Sequence, residues 1–241
     1  MLKKYFGQSL DIVQKSAAFD LKSRADDESE AAIIEVLKKE FPEANIHAEE
    51  SGKFENGSDY TFIIDPLDGT HNFLLGVPTF TISIGLLHHK KVIAGVIFAP
   101  VIDQTFYAEL GKGAFLEGKR LQPSNEVNYE RAIISLNFSY GVTRDRLKQA
   151  MRSAFENKPM RVITEWCETY YFCLLASGKI EGMTCEGSEL HDFVAGKFIV
   201  REAGCVVADF MGNPDTDDLA DEFIVASNQD ILKHLIEVVK K

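Results

Sequence analysis

The sequence predicts a mixed α/β chain in two unlike halves, and three patterns carry that expectation. Phe80 to Leu87, Val92 to Phe98 and Gln104 to Glu109 are β-rich runs separated by short polar turns, as in an antiparallel meander. From Ala132 onwards strand and helix signals alternate: Ala132 to Leu136, Arg144 to Phe155, Met160 to Ile163, Cys167 to Ala176, Ile180 to Met183, Glu189 to Ala203, Cys205 to Ala208, Phe223 to Ala226 and Asp230 to Val239. Around Pro123 to Tyr129 the apolar pattern breaks, which places the boundary there, with residues 1–125 as an N-terminal α+β half and 126–241 as a C-terminal α/β half.

The first half opens with Phe6, Leu10, Val13 and Ala17 at helical spacing, which predicts a helix from about Tyr5 to Ala18. A polar connection, Phe19 to Asp26, leads to a second helix. It is expected to start at Asp26 or Asp27, with Glu28 and Glu30 in its first turn and an Ile33, Leu37, Phe41 stripe, and to stop before Pro42. From the residues alone, Asp26 reads either as an N-cap or as a catalytic group. Ala44 to Ala48 reads as a short strand ending at Glu49 and Glu50, a pair equally readable as a solvated acidic turn or as part of a site.

The stretch around which the chain is organised is Thr61 to Thr70, an apolar β-type run that stops at Asp65-Pro66-Leu67-Asp68-Gly69-Thr70. Pro66 disfavours the helical region for Asp65, so its carboxylate is presented at a strand end, and Asp68 follows across a tight turn. Two carboxylates so close repel unless a cation lies between them, which points to a hard divalent metal. Gly69 lets the backbone approach a ligand, and Thr70 is expected to cap the segment His71 to Leu75, with free N–H groups facing an anion. Metal and phosphate together suggest phosphoryl chemistry. The bland alternative is an acidic strand-to-turn connection with Thr70 as a structural cap.

Composition narrows the classes. With 241 residues and 45% apolar content the chain builds a core without covalent staples. Cys167, Cys173, Cys185 and Cys205 have spacings that form neither a zinc nor a redox motif, so reduced, buried thiols are expected. A net charge of −11 disfavours nucleic-acid binding, and none is expected, although a few basic residues near a metal can still serve an anionic substrate. No run of 18 apolar residues occurs, and Met1 to Gln8 lacks an uninterrupted signal-peptide core, so a soluble, cytoplasmic protein with no membrane partner is expected. Lys112 among glycines lacks P-loop spacing and reads as a hairpin turn.

Late in the chain, Ser188-Glu189-Leu190-His191-Asp192-Phe193-Val194-Ala195-Gly196 reads as a helix start with Ser188 as N-cap, and Gly204 reads as its stop. That puts Asp192 in the first turn, where an anion is favoured.

Asp65-Pro66-Leu67-Asp68-Gly69-Thr70 resembles the first signature of the inositol monophosphatase family of Mg²⁺-dependent, Li⁺-sensitive phosphatases, and Asp192-Phe193-Val194-Ala195-Gly196 resembles its second. The resemblance covers essentially the whole chain and implies a layered αβαβα sandwich of the sugar phosphatase type, with the site between the halves. By the same resemblance Glu49, Asp65, Asp68 and Asp192, with the Leu67 carbonyl and the Thr70 hydroxyl, hold two or three Mg²⁺ ions. Glu49 matches the acid that bridges metals, Glu50 an acid behind the ligands, and Asp26 with Thr70 the pair that activates water. Backbone N–H groups of Gly69 and Thr70 are expected to hold the phosphate. Oxygen-only donors suit Mg²⁺ rather than zinc.

The chain departs from the family pattern mainly on the substrate side. Ala48 replaces a Gly, His191 replaces a Trp, and Trp166-Cys167-Glu168 replaces a Gly-Ser/Thr-Ala contact to the sugar. The acid expected before the second signature aligns with either Cys185 or Glu186. Glu168, Glu186 and His191 are the candidate substrate contacts, with Trp166 and Glu168 alternatively a helix-start core residue and a solvent-facing acid. Hydrolysis of a small sugar or polyol phosphate such as inositol 1-phosphate is the default expectation. Fructose 1,6-bisphosphate, histidinol phosphate, nucleotide 3′-phosphates and a non-catalytic protein-partner role are the alternatives. Family members are often dimers, so a homodimer is implied.

Overall fold

The computed structural model describes residues 1–8, 12–14, 21–139, 141–164 and 167–240. Its elements begin with α1 (Leu2–Tyr5), β1 (Ile12–Gln14), β2 (Leu21–Ser23), α2 (Arg24–Glu40), β3 (Asn45–Ala48), β4 (Gly52–Phe54), β5 (Tyr60–Asp68) and α3 (Thr70–Leu75). The meander follows as β6 (Thr81–His88), β7 (Lys91–Ala99), β8 (Gln104–Glu109), β9 (Gly113–Leu116) and β10 (Lys119–Arg120). Then come β11 (Ile133–Phe138), α4 (Arg144–Glu156), β12 (Arg161–Ile163), α5 (Glu168–Ala176), β13 (Gly182–Glu186), α6 (Leu190–Ala203), β14 (Val206–Ala208), β15 (Glu222–Ala226) and α7 (Gln229–Val239).

Eight strands form one sheet in the order β10-β9-β8-β7-β6-β5-β3-β4, and five form a second in the order β12-β11-β13-β15-β14. Every neighbouring pair from β5 to β10 is antiparallel, whereas β3 runs parallel to β5. The hairpin between β8 and β9 contains Lys112, which is a turn residue as its sequence context suggested.

Burial gives the layers. On one face of the large sheet, Leu37 of α2 packs with Ile46, Phe62 and Ile64. Its other face shares one core with α5, α6 and the inner face of the small sheet: Ile63, Ile97 and Phe106 meet Phe172, Phe193 and Ile199, which meet Met183, Cys185, Phe223 and Val225. Beyond the small sheet, Ile134, Leu136 and Ile224 pack on Ala154 of α4 and on Leu235 and Val238 of α7. The result is helix, sheet, helix, sheet, helix, the layered αβαβα arrangement.

Close approach of α6 to the large sheet depends on two glycines. Gly85 of β6 pairs with Gly95 of β7. A Cβ added at Gly85 would lie 2.8 Å from Val194 Cγ1, and one at Gly95 would lie 3.0 Å from the Ala195 carbonyl oxygen. Without side chains there, α6 lies directly on the strands, and its first turn reaches the end of β5.

Three local expectations are corrected. The predicted helix from Tyr5 to Ala18 is replaced by α1, which ends at Tyr5, and by a strand at Ile12–Gln14 paired with β2, while the rest of that stretch lies outside the described residues. Apolar spacing alone did not anticipate this cross-strand pairing. Helix α2 starts at Arg24 rather than Asp26, because Ser23 supplies the N-cap and Asp26, at the third helical position, closes a capping box. Helix α6 is likewise capped by Glu189 with Asp192 as its capping-box partner, not by Ser188.

Candidate active site

The site begins with an irregularity in β5. Residues three apart on a regular strand face opposite sides of a sheet, so Asp65 and Asp68 would diverge. Asp65 pairs with Ser83 and Asp68 with Thr81, three residues on β5 against two on β6, and this bulge is the extra residue that brings both carboxylates to one side. Leu67, between them, buries its side chain with Phe73 and Phe80 instead. The Leu67 N–H donates to Asp65 Oδ1 at 2.9 Å, which fixes the turn.

Asp192 arrives from α6. One carboxylate oxygen each of Asp65, Asp68 and Asp192 lies within 4.8 Å of the others. Glu49 follows β3, where its N–H donates to the Ile64 carbonyl at 3.1 Å, so it extends the parallel pairing alongside Asp65. Among the described residues no lysine or arginine forms an ion pair with Asp65, Asp68 or Asp192. Burial, followed by the charges of Glu49, Asp68 and Asp192, holds the Asp65 carboxyl well above the usual range. Burial and then Asp68 and Glu49 do the same to Asp192. Asp68 is raised by burial and restrained by Thr169, whose N–H and hydroxyl donate to Asp68 Oδ2 at 2.7 and 2.5 Å. Sequence reading missed Thr169, since its partner lies 101 positions away.

Asp26 and Thr70 are joined as a pair. The Thr70 hydroxyl lies 3.0 Å from Asp26 Oδ1 and 3.1 Å from the Leu67 carbonyl, with either able to accept its proton. Asp26 Oδ2 accepts from the Ser23 N–H and hydroxyl, both at 2.8 Å. The same carboxyl therefore closes the capping box from the third helical position and meets Thr70, and the N-cap reading of Asp26 is corrected because Ser23 holds that place. Gly69, with φ of 90°, is the N-cap of α3, and Thr70 is its first helical residue rather than the expected cap. Behind Glu49, Glu50 pairs with Lys22 at 3.4 Å and its N–H donates to Glu30 Oε2 at 2.8 Å.

On the substrate side the structure separates residues that adjoin in sequence. Along β13, Met183 and Cys185 face the central helices, so Glu186 faces the opposite layer. Its carboxylate is gripped there by Arg146 of α4, with Nη2 to Oε2 at 2.7 Å, and that guanidinium also donates to the Val239 carbonyl at 3.0 Å. Strand alternation thus turns Glu186 away from the acid cluster, contrary to its expected place on the substrate side. Glu168, at the first position of α5, directs its carboxyl inward. Oε2 accepts from the Ser188 hydroxyl at 2.6 Å, and the Cys185 thiol is a further hydrogen-bonding neighbour of the carboxyl. Burial and then the charge of Asp192 push this carboxyl up to about 8. The solvent-facing reading of Glu168 is thereby corrected. His191 Nε2 lies 3.5 Å from Asp192 Oδ1 and 3.8 Å from Glu189 Oε2, at the rim of the cluster. Trp166 lies outside the described residues. All four cysteines are buried and free, as expected.

The donor set fits a hard cation. Crowded carboxylates with no lysine or arginine paired to them among the described residues, a nearby backbone carbonyl and an all-oxygen donor set suit Mg²⁺.

Known proteins resemble this chain along its whole length. The chain is 30% identical over 244 residues to a fructose-1,6-bisphosphatase/inositol-1-monophosphatase of Thermotoga maritima, covering 100% of this chain and 92% of the relative. It is 32% identical over 226 residues to the Nus factor SuhB of Pasteurella multocida, covering 92% and 83%. The solved extragenic suppressor protein SuhB of Bartonella henselae superposes with a TM-score of 0.91 at 32% identity, covering 100% of this chain and 93% of that one. The profile described as the inositol monophosphatase family matches residues 1–241, so the chain belongs to the inositol monophosphatase family.

Proposed function

We propose that the protein is a Mg²⁺-dependent phosphomonoesterase acting on a small polyol or sugar phosphate. The observation that carries this reading is the gathering of Asp65, Asp68 and Asp192 within 4.8 Å, with Glu49 adding its charge and no lysine or arginine paired to the three among the described residues. Those four acids and the Leu67 carbonyl would hold the ions. When bound, Mg²⁺ supplies charge stabilisation for the phosphoryl oxygens and lowers the pKa of water.

The chain's own residues handle orientation and protons. The Thr70 hydroxyl accepts from an attacking water and passes its own proton to Asp26 Oδ1, 3.0 Å away. Backbone N–H groups at Gly69 and Thr70 orient the phosphate, and Thr169 steadies Asp68 through two hydrogen bonds. Attack by water on phosphorus breaks the P–O ester bond, releases the alcohol and inorganic phosphate, and needs no covalent nucleophile.

Glu168 sets the substrate class. Cations bound beside Asp192 would favour the ionised form of Glu168, which then accepts from a hydroxyl or ammonium of the substrate, whereas a second phosphate there would meet like charge. Monophosphates of polyols or amino alcohols are therefore favoured over bisphosphates.

The test is phosphate release from a panel of polyol, amino-alcohol, sugar and nucleotide phosphates with and without Mg²⁺, for wild type, Asp65→Asn and Asp192→Asn. Turnover is expected only with Mg²⁺ and only in wild type, with circular dichroism unchanged. Wild-type rates in either variant at saturating Mg²⁺ would remove that residue from the metal site. A second reading, a protein-partner role, is suggested by the relatives called Nus factor SuhB. Folded wild type that releases no phosphate from any member of the panel would favour it.

A further inference from the structure

A second group of metal-ligating side chains lies at the other end of β5. Asp59 immediately precedes that strand, His88 ends β6, and His89 begins the turn to β7. One ligand atom from each lies within 4.8 Å of the other two. Asp59 is six residues from Asp65 along an extended chain, about 20 Å, so the group is separate from the acid cluster. We propose that Asp59, His88 and His89 form a surface site for a borderline transition-metal ion such as Zn²⁺.

The backbone holds the three residues in place. His88 is in register with Tyr60, directly after Asp59. The His89 N–H donates to the Asp59 carbonyl at 2.7 Å, which ties the turn to the strand entry. The His88 ring stacks on Tyr60, with centroids 4.7 Å apart and planes 21° apart, and the two histidine rings lie 4.4 Å apart. His89 Nδ1 already faces Asp59 Oδ1 at 3.5 Å. Tetrahedral zinc at bond lengths of about 2.0–2.1 Å spaces its ligands by about 3.4 Å, so small side-chain rotations close the set. Of the adjacent lysines, Lys91 directs its ammonium away, to the Thr216 carbonyl at 2.9 Å.

Donor chemistry separates this site from the first. Two imidazoles and one carboxylate suit Zn²⁺, Co²⁺ or Ni²⁺, whereas an all-carboxylate cluster suits Mg²⁺. Three protein ligands leave a position for water. An ion there would clip the start of β5 to the β6–β7 turn, and binding to the folded form alone raises thermal stability by mass action.

The experiment uses the whole chain with saturating Mg²⁺, so the acid cluster is occupied. Zn²⁺ is titrated by calorimetry and thermal melting, and Co²⁺ by its visible absorption. Wild type is expected to bind one equivalent, to melt at a higher temperature and to show the absorption of nitrogen-ligated Co²⁺. The His88→Ala/His89→Ala variant is expected to lose all three responses while keeping Mg²⁺-dependent activity. In wild type, the imidazole resonances of His88 and His89 should shift with Zn²⁺, a reading independent of the variant's folding. Equal Zn²⁺ binding in the double variant, or no binding in wild type, would overturn the proposal.

Discussion

Gly85→Ala tests whether the seating of α6 on the large sheet positions the clustered acids. The new Cβ would lie 2.8 Å from Val194 Cγ1, closer than carbon atoms tolerate, and Val194 is fully buried. Overpacking of this kind costs about 1–3 kcal/mol. For a chain of this size that lowers Tm by about 2–4 °C per kcal/mol. The strain is relieved by a lift of α6, and Asp192 lies two residues before Val194 on that helix. A misplacement of about 1 Å costs about a hundredfold in rate, so a lift of a few tenths should lower kcat by several-fold, roughly. Val194→Ala removes the clashing methyl, so the double variant should be more stable than the sum of the single changes by about 0.5–3 kcal/mol. Thermal melts and urea unfolding of all four proteins, with Mg²⁺-dependent phosphate release, measure both effects. Strict additivity in the cycle, or an unchanged Tm in Gly85→Ala, would refute the close seating of α6.

Three further outcomes follow from the same geometry. Glu168 has a folded-state value of about 8 against an ordinary 4.5, so between those values the folded protein retains a proton that the unfolded chain has lost; stability of the metal-free protein should therefore fall as pH rises through that window, and Glu168→Gln should flatten the slope in urea titrations. In kcat/KM comparisons, Glu168→Ala should narrow the preference for polyol monophosphates over bisphosphates, and an unchanged order would remove Glu168 from the pocket. Li⁺ should inhibit turnover by competing for a Mg²⁺ position, with the response altered by Asp26→Asn; indifference to Li⁺ in an active enzyme would indicate a different metal arrangement.

The acid hexapeptide was legible in the sequence as a strand ending in a turn because that signal is local: Pro66, Gly69 and the carboxylates lie within six residues. Strand and helix alternation after Ala132 was legible for the same reason, since periodicity reports burial of one face. The start of α2 was misplaced because capping depends on which of several polar residues turns its side chain back, and the start of the chain was misjudged because apolar spacing does not reveal a strand's partner. Tertiary structure alone decided the rest. The bulge between Asp65 and Asp68 put both carboxylates on one side, since strand parity by itself would have divided them. Parity also sent Glu186 to Arg146 and left Cys185 beside Glu168. The sequence named the acids of this site; which side each faces was decided by register, bulge and the two glycines beneath α6, because those depend on partners far away along the chain.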